Sequence, residues 1–229
     1  MIYLISPAKT MKENSRSLPI NILFEEQSKK LCNKMKQYSL EQLKTIMKIS
    51  DKIALQTYQM YQSMDYIKGS KAIHLYDGML YKAIDYEHLD EPTQRYLNEY
   101  VYIVSAMYGL VRFQNVIENY RLEMQTKMDI SLYEYWKETI VSYLNQHEVI
   151  VDLCSNEYRK GYEKKVNTIE ICFKTSGKKD PIKKLRGSFV KECALKQVKT
   201  KEDLKQIQVY GYCFDKQLSN ENQYVYRKG

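Results

Sequence analysis

The sequence predicts a mixed α/β protein: a single domain, residues 1–229, in which a mixed sheet is flanked by helices. Three observations carry that expectation. Short apolar runs at residues 2–5, 101–104 and 149–153 have the length and composition of buried strands. Amphipathic stretches of helical period lie between them. Each run gives way to a small polar loop, at residues 6–10, 105–109 and 154–158. Were these strands parallel neighbours, the three loops would share one rim of the sheet, where α/β proteins place their sites.

Taken in order, Ile2-Tyr3-Leu4-Ile5 opens the chain as a strand, and Pro7, which cannot donate to a ladder, stops it. A strand beginning so close to Met1 leaves no room for a signal peptide. Residues 22–37 form a weakly amphipathic helix with Ile22, Leu23, Leu31 and Met35. Ser39 with Gln42 three residues later spells a capping box, and Leu40, Leu43, Ile46 and Met47 give that helix its stripe. Ser50-Asp51 ends it and caps the next, which carries Ile53, Ala54, Tyr58 and Tyr61, so residues 39–64 are two helices joined by a tight turn.

Residues 72–76 read as a strand, Asp77-Gly78 as a turn and residues 79–84 as an apolar helix. Asp85, Glu87, His88, Asp90 and Glu91, ahead of Pro92, read as a charged loop. Oxygen and imidazole donors suit Fe or Mn, but such a loop predicts solvated charges and no metal. Residues 131–144 form a helix turning Leu132, Tyr135, Trp136, Ile140 and Leu144 inward. Residues 154–158 open a helix capped by Ser155 or Asn156, 168–174 are a fourth strand, 182–197 a basic helix, and 209–214 and 224–226 late strands.

At 229 residues and 44 % apolar composition the chain can bury a substantial core, and 8 Gly and 4 Pro argue against a linker-rich chain. Its 22 Tyr suit half-buried faces, where a ring packs while the hydroxyl finds a polar partner. Five scattered Cys without a CxxC pair, and three His remote from them, predict a reduced intracellular protein with no disulfide scaffold or zinc ribbon. No apolar run reaches the roughly 18–20 residues that span a bilayer. Net charge is +8, and residues 159–205 hold 15 basic and 6 acidic side chains against 21 and 22 in the remainder. An excess confined to one segment points to a polyanionic partner or to a solvated basic face.

Several strings together resemble the YaaA family. They are Leu4-Ile5-Ser6-Pro7-Ala8-Lys9-Thr10, Met47-Lys48-Ile49-Ser50-Asp51-Lys52-Ile53-Ala54, Ser105-Ala106-Met107-Tyr108-Gly109-Leu110-Val111-Arg112 and Tyr120-Arg121-Leu122-Glu123-Met124. Leu132-Tyr133-Glu134-Tyr135-Trp136, Ser155-Asn156-Glu157-Tyr158, Lys183-Lys184-Leu185-Arg186-Gly187 and Gly211-Tyr212 complete the series, in order and nearly end to end. The chain departs from the family pattern at Gly78-Met79, Ser105-Ala106, Arg112-Phe113 and Leu185. The resemblance implies a cytosolic mixed α/β fold outside the common superfolds, with a positively charged cleft and a helix-hairpin-helix-like element. It also implies double-stranded DNA as partner, and a role in limiting free iron and oxidative damage during peroxide stress. It implies no cofactor and no established reaction, and a monomer is the favoured state.

The chemistry of the candidate residues fits phosphate binding. A helical hairpin can offer backbone N–H groups to a phosphate without reading sequence. Here Lys48 and Ser50 stand where glycine would ease the approach, and Lys48 and Lys52 supply charge. Lys183, Lys184 and Arg186 beside Gly187 are the leading phosphate ligands by composition, with Lys9, Arg121 and Lys160 as further lining. Ser6, Tyr108, Glu123, Ser155 and Glu157 form a candidate polar cleft under the loops. An alternative reading makes that cleft the site of an enzyme acting on a nucleotide or modified base, with Glu157 or Glu123 as general base and Lys9 or Arg121 holding an anion. No spacing specifies a reaction. A third reading is an interaction protein whose basic face meets an acidic partner.

Overall fold

The computed structural model describes residues 1–13, 17–175 and 180–229. Its centre is a seven-stranded sheet in the order Cys213–Phe214, Gln223–Lys228, Ile169–Thr175, Ile150–Asp152, Ile2–Ile5, Val101–Ser105, Gly109–Arg112. The five inner strands run parallel, and the two edge strands pair antiparallel to their neighbours. Ile2–Ile5 is buried along its whole length, as an interior strand of a sheet covered on both faces requires. Both of its neighbours, Val101–Ser105 and Ile150–Asp152, are parallel to it, so the loops at 6–10, 105–109 and 154–158 do meet at one rim.

The helical hairpin has the expected form. Helix Leu40–Met47 carries the Ser39/Gln42 capping box, and helix Asp51–Ser63 follows after Lys48, Ile49 and Ser50. Lys48 takes the left-handed conformation, φ 52°, that closes the first helix. Helix Leu132–Leu144 starts at Ser131, and its Trp136 is buried with Nε1 donating to the Ala106 carbonyl at 2.8 Å, which anchors the middle loop. Gly109 closes that loop at φ +72°, and a Cβ there would meet Phe24 and Trp136.

Three expectations fail. Residues 72–76 are not one strand: Ala72–Leu75 is a single helical turn, followed by the two-residue strand Tyr76–Asp77. Backbone N–H groups of Ala72 and Ile73 donate to the carbonyls of Asn115 and Phe113, which fold the run back on itself, and an apolar run this short has no period to choose a strand. The residues around Pro92 are not simply a charged loop. Asp90 caps helix Glu91–Tyr100, its Oδ1 accepting from the Thr93 N–H at 3.1 Å, with Pro92 in the first turn, where a missing N–H costs nothing. The late segment 209–214 shrinks to strand Cys213–Phe214, with Tyr210 and Gly211 turning at positive φ.

Helix Ile182–Leu195 lies against helix Met79–Ile84 at very short range, and Gly187 is the reason. A Cβ at position 187 would come within 2.2 Å of the Leu80 carbonyl oxygen and 3.0 Å of the Ala83 Cβ. The glycine thus admits a neighbouring helix rather than a phosphate. Gly187→Ala is expected to destabilise the protein by about 2–3 kcal/mol, because the obstacle is backbone and cannot rotate away; urea unfolding checks it.

Candidate functional site

At the rim, Ser6 and Ser155 join the ends of adjacent strands. The Ser155 N–H donates to Ser6 Oγ at 2.8 Å, the two hydroxyls are 3.3 Å apart, and Tyr81 donates its hydroxyl to the Ser6 carbonyl at 3.0 Å. On the other side Ser105 Oγ donates to the Tyr120 hydroxyl at 2.8 Å and accepts the N–H groups of Met107 and Tyr108. Tyr120 and Tyr76 share a hydroxyl contact of 2.9 Å, and burial pushes the Tyr120 phenol up to about 12. Tyr120 is therefore a neutral strut directly under Arg121.

Lys9 pairs with Glu123, Nζ to Oε2 at 2.6 Å. Glu123 sits in a turn closed by its own N–H on Thr126 Oγ1 and by the Thr126 N–H on its carbonyl. Glu157 lies against the same turn. Burial first, then the negative charge of Glu123, raise its pKa, while the N–H groups of Gln125 and Met124 and the Lys9 ammonium pull it back. One of its oxygens, Oε1, is buried without a hydrogen-bond partner among the described residues.

Two grooves open beside this cluster and meet at Arg121. The smaller, about 230 Å³, runs between Met47 and Lys48 of the hairpin and Glu123, Gln125 and Lys127 of the rim turn. The larger, about 880 Å³, runs along Ile53, Gln56 and Met60 of the second hairpin helix towards Lys9 and Asn119. The Arg121 backbone is held by the Tyr61 hydroxyl at 2.8 Å, whereas its guanidinium has no ion-pair or hydrogen-bond partner among the described residues. Lys48, Ser50 and Lys52 are exposed around the hairpin turn, and Asp51, which would repel an anion there, is taken up by an ion pair with Lys44.

The structure thus brings together Ser6, Lys9, Arg121, Glu123, Ser155 and Glu157, with Lys48 across the smaller groove. Lys160 is exposed one residue beyond the rim helix Asn156–Arg159. Tyr108 is no part of an open cleft: it is fully buried, its hydroxyl donating to the Glu118 carbonyl and accepting the Glu118 N–H. The basic helix also divides. Lys183 and Lys184 are exposed, Lys184 over the Tyr210 ring at 4.4 Å, while Arg186 turns its Nε into the protein and burial lowers its pKa. Lys183 and Arg186, three positions apart, stand only about 60° apart on the helix, whereas Lys184 is turned about 100° from Lys183, so the three cations spread around about 160° of the helix. The basic segment as a whole spans both ends of the sheet, since Lys201 lines a cavity with Val149 and Thr168, where the parallel strands begin.

Arg159 is the side chain that sequence reasoning missed. It is buried, donating from Nε to Asp152 Oδ2 at 2.9 Å and from a terminal nitrogen to the Cys154 carbonyl at 3.0 Å, and it pairs with Glu170 on the next strand. A carboxylate inside the apolar run Val149-Ile150-Val151-Asp152-Leu153 was the available signal, because a buried aspartate needs a cation. The acidic residues after Ile84 have structural partners: His88 pairs with Asp85 at 2.7 Å and His74 with Glu87 at 3.3 Å, and Asp90 is a cap. Among the described residues no group of three or more His, Cys, Asp and Glu is placed to hold a metal ion, and no helix is long and apolar enough to cross a membrane.

Comparison with known proteins agrees along the chain. The family model described as peroxide stress protein YaaA matches residues 1–218. A UPF0246 protein of Finegoldia magna is 34% identical over 241 residues, covering 100% of this chain and 98% of the relative. One of Clostridioides difficile is 33% identical over 249 residues, covering both chains fully, and one of Francisella philomiragia is 31% identical over 97% of this chain and 98% of the relative. The chain belongs to the YaaA family of peroxide stress proteins, the UPF0246 proteins.

Proposed function

We propose that this protein binds duplex DNA through phosphate contacts in the paired grooves between the helical hairpin and the rim of the sheet. The observation that carries this reading is the Arg121 guanidinium, without a partner among the described residues, at the junction of the two grooves. A guanidinium offers a planar fork that fits phosphate oxygens, and Lys48 and Lys9 flank it. The first turn of helix Asp51–Ser63, whose N-terminal Ser50 makes no side-chain capping bond among the described residues, leaves backbone N–H groups for a further phosphate. Lys52, Lys160, Lys183 and Lys184 are outer contacts in this reading, and Arg186 acts from inside the protein. The protein is then a cytoplasmic, weakly sequence-specific DNA binder that limits oxidative damage during hydrogen peroxide stress. Any effect on free iron follows indirectly, through the DNA it covers.

Fluorescence anisotropy with labelled duplex, bent duplex and single-stranded DNA tests this reading. Duplex binding near physiological salt is expected, and its absence refutes the proposal. Lys48→Gly separates folding from binding. Glycine removes the cost of a left-handed side chain, so stability is expected to rise by about 1 kcal/mol, while loss of the cation weakens duplex binding several-fold. A variant that unfolds later and binds less tightly is the expected pair of results; unchanged binding excludes Lys48 from the interface.

A further inference from the structure

The two grooves that meet at Arg121 differ in what they can admit. The larger, about 880 Å³, runs past Ile53, Gln56 and Met60 towards Lys9 and Asn119 and has room for a length of strand. The smaller, about 230 Å³, falls below the roughly 300–1,000 Å³ of ordinary ligand pockets. It is a recess for one charged group rather than for a whole nucleotide.

The walls of that recess carry positive charge with nothing to neutralise it. Lys48 stands on the hairpin wall, and Arg121 and Lys127 stand on the rim wall. None of the three has an ion-pair partner among the described residues. Glu123, the one carboxylate on these walls, is already held by Lys9 at 2.6 Å. Three free cations therefore face a space that a single anion fills.

Their backbones are fixed in place. The Tyr61 hydroxyl holds the Arg121 carbonyl at 2.8 Å, and Tyr120 just before it is tied to the hydroxyls of Ser105 and Tyr76. Lys127 follows the turn that Glu123 and Thr126 close on each other. Lys48 sits at φ 52°, a conformation that glycine takes without cost and a lysine does not. A strained residue on the wall of a charged recess points to a function for its side chain.

The charge and size of the recess discriminate among phosphates. An internal phosphodiester carries one negative charge and a sugar on each side. A terminal phosphate monoester has a second pKa of about 6, carries nearly two charges at neutral pH and offers three oxygens. It also has a sugar on one side only, so it enters a small recess end-on.

We propose that the smaller groove seats the terminal phosphate monoester of a DNA strand on Arg121, Lys48 and Lys127, while the strand itself lies in the larger groove. The assignment rests on the duplex reading above and adds to it the feature of the duplex that the protein selects, a phosphorylated strand end. Arg121 supplies a planar fork to the phosphate oxygens, and the two lysines supply point charges.

The test is fluorescence anisotropy of the full chain with four internally labelled duplexes of one sequence: 5′-phosphorylated, 3′-phosphorylated, hydroxyl at both ends, and a dumbbell closed by loops. One of the two phosphorylated duplexes is expected to bind about tenfold more tightly than the hydroxyl-ended one. Equal binding by all three open duplexes overturns the assignment. The readout in variants is the ratio of these affinities within one protein, which a general loss of charge does not move. Lys127→Gln is expected to bring the ratio close to one, and Lys183→Gln/Lys184→Gln to leave it near tenfold. A ratio that survives Lys127→Gln, or collapses equally in both variants, overturns the placement in this groove.

Inorganic phosphate separates a strand end from a free ion. At constant ionic strength it is expected to displace the phosphorylated duplex only at millimolar concentration, and displacement at micromolar concentration would assign the recess to the free ion instead. Dumbbell binding without any preference among ends leaves the duplex reading standing and sinks this assignment. A preference for phosphorylated ends without dumbbell binding does the reverse. The native protein's four duplexes decide the preference even if a variant fails to fold.

Discussion

Arg159→Ala is expected to cost about 3–5 kcal/mol of stability, as breaking a buried ion pair from one side does. Asp152 is completely buried and accepts from both Arg159 and the Cys154 N–H, at 2.9 and 2.7 Å. Removing the guanidinium leaves that carboxylate without its cation and releases Glu170 on the neighbouring strand. The loss has a pH signature. Burial already raises the Asp152 pKa and Arg159 pulls it back, so without the guanidinium it rises further above its unfolded value, and the deficit is smallest near pH 4 and grows as pH increases. Arg159→Lys keeps the charge but cannot bridge Asp152, Glu170 and the Cys154 carbonyl together, and falls between. Urea unfolding at pH 4 and pH 7 checks both. Because Arg159 fixes the loop carrying Ser155 and Glu157, its loss is also expected to loosen the rim, read as faster hydrogen exchange over residues 153–158.

Neutralising Arg121 and Lys48 together is the second large effect. Each charge-assisted phosphate contact contributes on the order of 1.5 kcal/mol, about tenfold in affinity. The double variant Lys48→Gln/Arg121→Gln is therefore expected to bind duplex about 100-fold more weakly. Neither side chain is buried, and the guanidinium has no partner among the described residues, so stability is expected to stay within about 0.5 kcal/mol of the native protein. Lys183→Gln/Lys184→Gln, on a helix where the cations diverge, is expected to lose only several-fold. A reversal of that order would place the interface on the basic helix instead.

The core strands and the polar loops that follow them were legible in the sequence because strand, loop and helix signals agreed at residues 2–10, 101–109 and 149–158, while their parallel pairing, which brings the loops to one rim, appears only in the structure. The hairpin was legible from a capping box and one break, Ser39/Gln42 and Ser50-Asp51. Other features depended on tertiary contacts with no local mark. The run from Ala72 to Tyr76 was turned into a helical turn by carbonyls at positions 113 and 115. Gly187 stands in a basic string that suggests a phosphate, yet the atom it accommodates is the Leu80 carbonyl oxygen, over a hundred positions away in the chain. Tyr108 and Arg186 have the polarity of site residues and face inward, which only packing decides. The rim residues Ser6, Lys9, Glu123, Ser155 and Glu157 could be grouped because three strand ends were recognised. Their partners Tyr81, Tyr120 and Arg159 could not.

The most direct measurement of the central claim is the salt dependence of duplex affinity for the native protein and for Lys48→Gln/Arg121→Gln. The logarithm of affinity falls with the logarithm of salt by about 0.9 for each phosphate neutralised. A steep slope for the native protein, reduced by about 2 in the double variant, is the predicted result. Equal slopes for the two proteins would contradict the placement of duplex DNA in the grooves at Arg121.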